Sequence, residues 1–236
     1  MDNIYTAIIT NYNAWDRLRL CIKSFENQTI KPVAYIVTDD GSDTQDDDFP
    51  SNVTILHYPH EMKINKYVND AVDACKTEKF YLLEQDALYR NFTMEALLQL
   101  AKPDIIVIPA WIRIKDPSYL PEYDNGEKKM SYLCIPPFSN PTGPFMAFKS
   151  TWLCYNEIYE RAGYADTDYL YRWYMAGYKV YRTNCLCTYH YEHEHIGAFN
   201  DPVYINRNKT LFDALMPYYE KNKIFNLKEK RCLYPV

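Results

Sequence analysis

Hydrophobic and polar positions come in alternating blocks along the first half of this chain. Ile4–Thr10, Val33–Thr38, Val53–Tyr58, Phe80–Leu83 and Ile105–Pro109 are short apolar runs of the kind that form buried strands. Between them the period lengthens to that of a helix. Leu18, Cys21, Ile22 and Phe25 fall at i, i+3, i+4 and i+7 in a helix over Asn13–Glu26, with Asn13 as N-cap and Asp16 as the capping-box acid. Ile64, Tyr67, Val68, Ala71, Val72 and Cys75 make a second amphipathic face, and Thr93–Leu100 a third helix. Strands alternating with helices predict βαβ units and a mostly parallel sheet. Three of the runs stop abruptly in polar residues, at Tyr12-Asn13, at Asp39-Asp40-Gly41-Ser42 and at Glu84-Gln85-Asp86. In an open α/β sheet, ligands bind beyond the carboxyl ends of the strands, so these stops mark a common rim and a small-molecule site.

The second half is less regular. Pro117–Lys129 is a polar connection, Met130–Ile135 a strand broken by Pro136-Pro137, and Phe145–Phe148 a short apolar piece leading into a helix over Thr151–Ala162. Asp166 or Asp168 opens a further helix that stops at Gly177. Lys179–Tyr181 and Leu186–His190 read as strands, and Leu211–Tyr219 as part of a terminal helix. No internal repeat divides the chain, so a single domain over residues 1–236 is expected.

With 236 residues and 47% hydrophobic content, the chain can bury a sizeable core. A net charge of -5 without a dense basic cluster argues against nucleic-acid binding. The N-terminus has no signal-like segment, and no window approaches the roughly 18 apolar residues of a membrane span. Seven cysteines with no Cys-x-x-Cys fit reduced thiols better than a disulfide framework. Together these features lead to the expectation of a cytoplasmic protein. The 24 tyrosines tilt the balance towards a ligand with a polar ring, since tyrosine combines a flat apolar face with a hydroxyl.

The six glycines form neither a Gly-x-Gly-x-x-Gly turn nor a P-loop, so a glycine-rich loop does not cradle phosphate here. A bound diphosphate would then need a metal held by carboxylates. Glu84-Gln85-Asp86 supplies hard oxygen ligands for Mg²⁺ or Mn²⁺ at a strand end, although a solvated loop gives the same pattern. His190, His193 and His195 are ambiguous. A zinc site with Cys185 and Cys187 would need a sharp turn of the chain, and ordinary loop histidines remain an alternative.

Several of these segments, in order, resemble glycosyltransferase family 2. Thr10-Asn11-Tyr12-Asn13, Gln28-Thr29 and Asp39-Asp40-Gly41-Ser42 are similar to its start, and Glu84-Gln85-Asp86 falls at its Asp-x-Asp metal motif. Gly143–Lys149 is similar to its acceptor-side segment, and Asp166-Thr167-Asp168 with Arg172 and Ala176-Gly177-Tyr178 to its Glu-Asp-Thr-Asp…Arg…Ala-Gly-Tyr block. The matches run from residue 4 to about residue 190.

The resemblance implies a GT-A fold, a mixed, mainly parallel sheet flanked by helices. Residues 1–110 would form the nucleotide-sugar half, 111–200 the acceptor half and 201–236 a C-terminal helical tail. It further implies an inverting, metal-dependent hexosyl- or deoxyhexosyltransferase. The donor would be a UDP-sugar, with dTDP- and GDP-sugars open, and the acceptor a glycan, a glycoprotein or a lipid-linked hydroxyl. A lipid-linked acceptor would bring the protein to a membrane surface. By position, Thr10, Tyr12, Asp40, Glu84 and Gln85 would contact the donor, with Asp40 accepting from a base N–H. Asp86 and His190, with His193 as runner-up, would hold Mn²⁺ or Mg²⁺, and Asp166 would be the general base. Two departures stand out: Glu84 replaces the first Asp, and Ala165 stands where an acid precedes the base. A non-catalytic nucleotide-sugar or glycan-binding protein and a sugar nucleotidyltransferase are the alternatives. The latter lacks its glycine-rich loop in Thr10–Arg17.

Overall fold

The apolar runs become strands because both their faces are covered. The computed structural model describes residues 4–46, 48–114, 132–134, 144–160, 163–191 and 201–228. In β1 (Tyr5–Asn11), Tyr5, Ala7 and Ile9 enter one apolar cluster and Ile8 the other. β4 (Lys79–Glu84) divides Tyr81 and Leu83 from Phe80 and Leu82 in the same way. So do β6 (Ile105–Ile114), with Ile105 and Val107 against Ile106 and Ile108, and β8 (Phe145–Phe148), with Met146 and Phe148 against Phe145 and Ala147. Such period-two division between two dry faces explains why these runs are continuously apolar.

The remaining strands are β2 (Ala34–Asp39), β3 (Val53–His57), β5 (Ala87–Tyr89), β7 (Tyr132–Cys134) and β9 (Lys179–Tyr191). All nine join one sheet in the order β3-β2-β1-β4-β8-β6-β9-β5, with β7 paired to β9. β1 runs parallel to β2 and β4, β2 to β3, and β6 to β9; β8, β5 and β7 run antiparallel to their partners. The sheet is therefore mixed and mainly parallel. One face is covered by α1 (Trp15–Glu26) and α3 (Thr93–Leu100), through Leu18, Cys21, Ile22, Phe25, Met94, Leu97 and Leu98. The other is covered by α2 (Ile64–Ala74), α4 (Ala165–Met175) and α5 (Pro202–Asn222).

Several elements depart from the sequence expectation. The helix expected over 151–162 is absent: a 3₁₀ turn spans Lys149–Thr151 and the described chain from Trp152 to Glu160 is irregular. Cys154 has φ +56, and the backbone there is satisfied by side chains instead of a helical ladder. Asn69 exchanges two hydrogen bonds with Tyr155, donating to its carbonyl at 3.0 Å and accepting from its amide at 2.9 Å, and Asn65 donates to the Tyr159 carbonyl at 3.0 Å. Buried backbone groups need partners, and here asparagines of α2 provide them. Residues 179–191 form one strand instead of two: β6 pairs with it up to Arg182 and again from Leu186, across an irregular register, and β7 pairs with Tyr181, Arg182 and Thr183. The terminal helix that contains Leu211–Tyr219 spans Pro202–Asn222. Asp201 caps it by accepting from the Val203 amide at 2.9 Å, and Pro202 occupies its first position.

Neither Asp166 nor Asp168 caps α4 through its side chain; Tyr164 stands at the cap with φ +65. Asp168 is fully buried and bonds Arg172 Nε at 2.9 Å, Tyr219 Oη at 2.7 Å and Tyr159 Oη at 3.1 Å. Arg172, also fully buried, donates to the carbonyls of Leu153, Cys154 and Phe225. This pair ties α4, α5 and the irregular 152–160 segment together. Removing one member strands a buried charge, so Asp168→Ala is expected to cost about 3–5 kcal/mol in urea unfolding, whereas an exposed acid such as Asp213→Ala stays within about 0.5 kcal/mol. Equal losses for the two variants would refute the role given to the pair.

Candidate functional site

Parallel pairing sets the polar strand ends level. Thr10 lies opposite both Thr38 and Glu84, Asn11 opposite Asp39, and Asp39 opposite His57. On the far side of the sheet, β5 returns antiparallel along β9, and Ala87 pairs with His190. One rim therefore carries residues from β1, β2, β3, β4 and β9.

At its centre, Glu84, Asp86 and His190 each offer a ligand atom, and these atoms all lie within 4.8 Å of one another. His190 Nε2 is 3.4 Å from Asp86 Oδ2 and 3.9 Å from Glu84 Oε2. Asp86 is buried and Glu84 exposed, so the group is rooted in the core yet open to solvent. Two carboxylates and one imidazole suit Mn²⁺, which accepts nitrogen as well as oxygen, and also Mg²⁺. Gln85 lies between the two acids and is partly buried. His193 and His195 lie outside the described residues, as do Gly143, Tyr119 and Phe138. Nothing is described of the side chains of Trp111, Tyr132, Cys185 or Cys187.

Asp166, at the start of α4, is near enough to Glu84 for the two charges to interact. Burial and the Glu84 charge push its carboxyl up to about 6, while a hydrogen bond from the Tyr155 hydroxyl pulls the other way. The residue as a whole is half-buried. Trp152 and Trp173 are core residues, 1% and 0% exposed.

The other end of the rim is organised by two adjacent acids with different tasks. Asp39 is committed to the turn. It accepts from Asn11 Nδ2 at 3.0 Å, from the Ser42 amide at 3.2 Å and from the Ser42 hydroxyl, and lies 3.3 Å from His57 Nδ1. Asp40 points to the loop after β3: its Oδ1 accepts from the Met62 amide at 3.2 Å, and Oδ2 lies 3.3 Å from His60 Nδ1. Burial raises the Asp40 carboxyl, opposed by the neighbouring His60 and the Met62 and Glu61 amides. The Tyr12 ring stacks on His60, with centroids 4.4 Å apart and planes 9° from parallel. Asn13 is not the α1 cap. At φ +48 it exchanges hydrogen bonds with Asp43 at 2.8 and 2.9 Å, a left-handed geometry that asparagine tolerates, and Ala14 precedes the helix.

His57, His60 and Tyr155 adjoin the candidate site residues Asp39, Tyr12 and Asp166 and were missed by sequence reasoning. The first two follow the same strand-end rule that singled out Asp39, applied to the end of β3, whereas Tyr155 sits in a segment with no readable periodicity.

The family model described as Glycosyl transferase family 2 matches residues 6–163. No curated protein sequence matches the chain. Among solved structures it is similar to S. aureus TarS 1-349 in complex with UDP, with a TM-score of 0.58 and 13% identity over 80% of this chain and 60% of that one. It is also similar to GalNAc-T7 with UDP, GalNAc and Mn²⁺, with a TM-score of 0.67 and 13% identity over 95% of this chain and 56% of that one. The chain thus spans less than two thirds of the length of either structure. The sheet and its covering helices form a GT-A fold. No helix among the described residues is long and apolar enough to cross a membrane.

If Glu84, Asp86 and His190 bind one cation, Asp86→Asn and His190→Ala should each weaken Mn²⁺ binding at least about tenfold, about 1.4 kcal/mol. The electron paramagnetic resonance signal of free Mn²⁺ reads this out. Undiminished binding in both variants would place the metal elsewhere.

Proposed function

The chain belongs to glycosyl transferase family 2, and on that premise we propose that it is an inverting, metal-dependent transferase moving a sugar from a nucleoside-diphosphate donor to an acceptor hydroxyl. The observation that carries the reading is the meeting, on one rim, of Asp166 with the Glu84–Asp86–His190 group.

In this reading the base end of the donor lies at Thr10, Tyr12 and Asp40. The Tyr12 ring offers an apolar face for the base, and the Asp40 carboxylate, an acceptor only, receives its ring N–H. Uracil, thymine and guanine carry such a donor; cytosine does not. UDP is the favoured carrier, since both structural neighbours contain it, with dTDP and GDP as alternatives. Gln85 and Glu84 border the ribose and diphosphate. Glu84, Asp86 and His190 would hold Mn²⁺ or Mg²⁺, whose charge would offset that developing on the departing diphosphate.

Asp166 performs the proton transfer. As the acceptor oxygen bonds to the anomeric carbon and the sugar–phosphate bond breaks, the hydroxyl proton passes to the Asp166 carboxylate. A single displacement of this kind inverts the anomeric centre. The Tyr155 hydroxyl favours the ionised form of this carboxylate, which the proton transfer requires. The sugar is a hexose or deoxyhexose, and the acceptor a glycan, a glycoprotein or a lipid-linked hydroxyl. A cytoplasmic protein, peripheral at a membrane when the acceptor is lipid-linked, fits this chemistry.

A base works only when ionised. Because Asp166 is raised to about 6, its ionised fraction, and with it transfer, falls as pH drops through about 6. Asp166→Asn is expected to reduce transfer about 10²–10⁴-fold and to leave the Kd for UDP within about threefold. Near-wild-type turnover in that variant would refute the base assignment. Separately, UDP should bind at least about tenfold more tightly than CDP, because cytosine would present an acceptor to the Asp40 carboxylate. Equal affinities would refute the base-reading role of Asp40.

A further inference from the structure

His60 lies where the nucleobase of the proposed donor would sit. Its imidazole is a planar ring laid on Tyr12, 4.4 Å away and 9° from parallel. Its Nδ1 is 2.9 Å from the Asp40 backbone oxygen and 3.3 Å from Asp40 Oδ2. Both are acceptors, so Nδ1 carries the proton and donates. A ring stacked on Tyr12 with a ring N–H directed at Asp40 repeats the two contacts assigned to the base.

We propose that His60 holds the nucleobase's place, so that a donor nucleotide binds by exchanging with the imidazole on Tyr12 and Asp40. The proposal rests on Tyr12 and Asp40 forming the nucleoside pocket. Three features of the loop show that this seat is specified. The Met62 amide engages the other Asp40 oxygen at 3.2 Å, so both carboxylate oxygens face residues 60–62. A Cβ on Gly41 would lie 2.4 Å from the His60 backbone nitrogen, so the loop comes this close only over a glycine, itself at φ +68. Met62 sits at φ +53, a left-handed conformation that a non-glycine residue holds only where its surroundings enforce it.

The ring also has somewhere to go. Its side chain is 35% exposed, and a cavity of about 200 Å³, lined by His60, Glu61, Met62, Glu160 and Tyr204, adjoins it. The imidazole can turn towards that space while the backbone of the loop stays on Gly41. The hydrogen bond to Asp40 and the stack on Tyr12 are given up by His60 and taken over by the base, so the exchange conserves the kinds of contact and demands no unfolding. Its consequence is a weakened apparent affinity, because only the fraction of molecules with the ring displaced is competent to bind.

The test is calorimetric titration of UDP, with Mn²⁺ present, into the wild-type protein and His60→Ala, accompanied by proton NMR of the histidine ring. The proposal expects His60→Ala to bind UDP at least about threefold more tightly. It also expects the wild-type His60 ring signal, identified by its absence from the variant, to move downfield on UDP addition as the ring leaves the shielding face of Tyr12. Weaker or unchanged UDP binding in His60→Ala, or a ring signal that stays in place at saturation, overturns it. Tyr12→Ala and Asp40→Asn, each made in the His60→Ala background, test the premise separately. If both bind UDP as His60→Ala does, the nucleoside pocket itself lies elsewhere. If they bind it more weakly while His60→Ala gains nothing over wild type, the pocket stands and only the place-holding role of His60 falls.

Discussion

Burial of the central sheet on both faces is the constraint from which the rest of this structure follows. With Ile8, Phe80, Leu82, Ile106 and Ile108 facing one apolar layer and Ala7, Ile9, Tyr81, Leu83 and Val107 the other, the middle of each strand leaves no room for an unpaired polar or ionised group. Carboxylates and imidazoles are therefore confined to the strand ends. Parallel pairing then aligns those ends, bringing Thr10 level with Thr38 and Glu84, and Asn11 with Asp39, while the antiparallel return of β5 sets Asp86 beside His190. The functional rim is the place where a doubly covered sheet can carry charge.

The base end of α4 needs a second device, because the segment before it has no regular structure to fix it. The buried Asp168–Arg172 pair supplies that. Asp168 collects two tyrosine hydroxyls, one from α5, while Arg172 gathers three backbone carbonyls from two irregular segments. Ion pairs buried this deeply are costly to desolvate and persist where hydrogen bonds satisfy both partners, and here each guanidinium nitrogen and each carboxylate oxygen has at least one. Two residues before Asp168, Asp166 inherits a fixed position against Tyr155 and the Glu84 charge. The C-terminal helix thereby becomes part of the scaffold beneath the site, with Phe212, Leu215 and Tyr219 in the main core.

Much of the nucleotide half was legible in the sequence because its strands are pure apolar runs and its helices keep a clean 3.6 period. The ends of β2 and β4 are legible to within one residue, at Thr38 and Leu83 against Asp39 and Glu84. Legibility failed where side chains replace the backbone ladder. Asn65, Asn69 and Arg172 hold residues 152–160 through contacts across long sequence separations, which no local pattern encodes. β9 misled for the opposite reason, its polar centre being carried by pairing with β6 and β7. At the site, the acids announced themselves by their position, but the division of labour between Asp39 and Asp40 required the structure. Asp39 is consumed by Asn11, Ser42 and His57, leaving Asp40 directed at the loop that carries His60.

A crystal structure grown with UDP and Mn²⁺, with anomalous data collected at the manganese edge, tests the central claim that one rim holds both ends of a nucleotide donor. The account predicts an anomalous peak among Glu84, Asp86 and His190, with the uracil on Tyr12, its N3–H on Asp40 and the His60 ring turned aside. A manganese peak away from those three residues, or a uracil bound away from Tyr12 and Asp40, would contradict it.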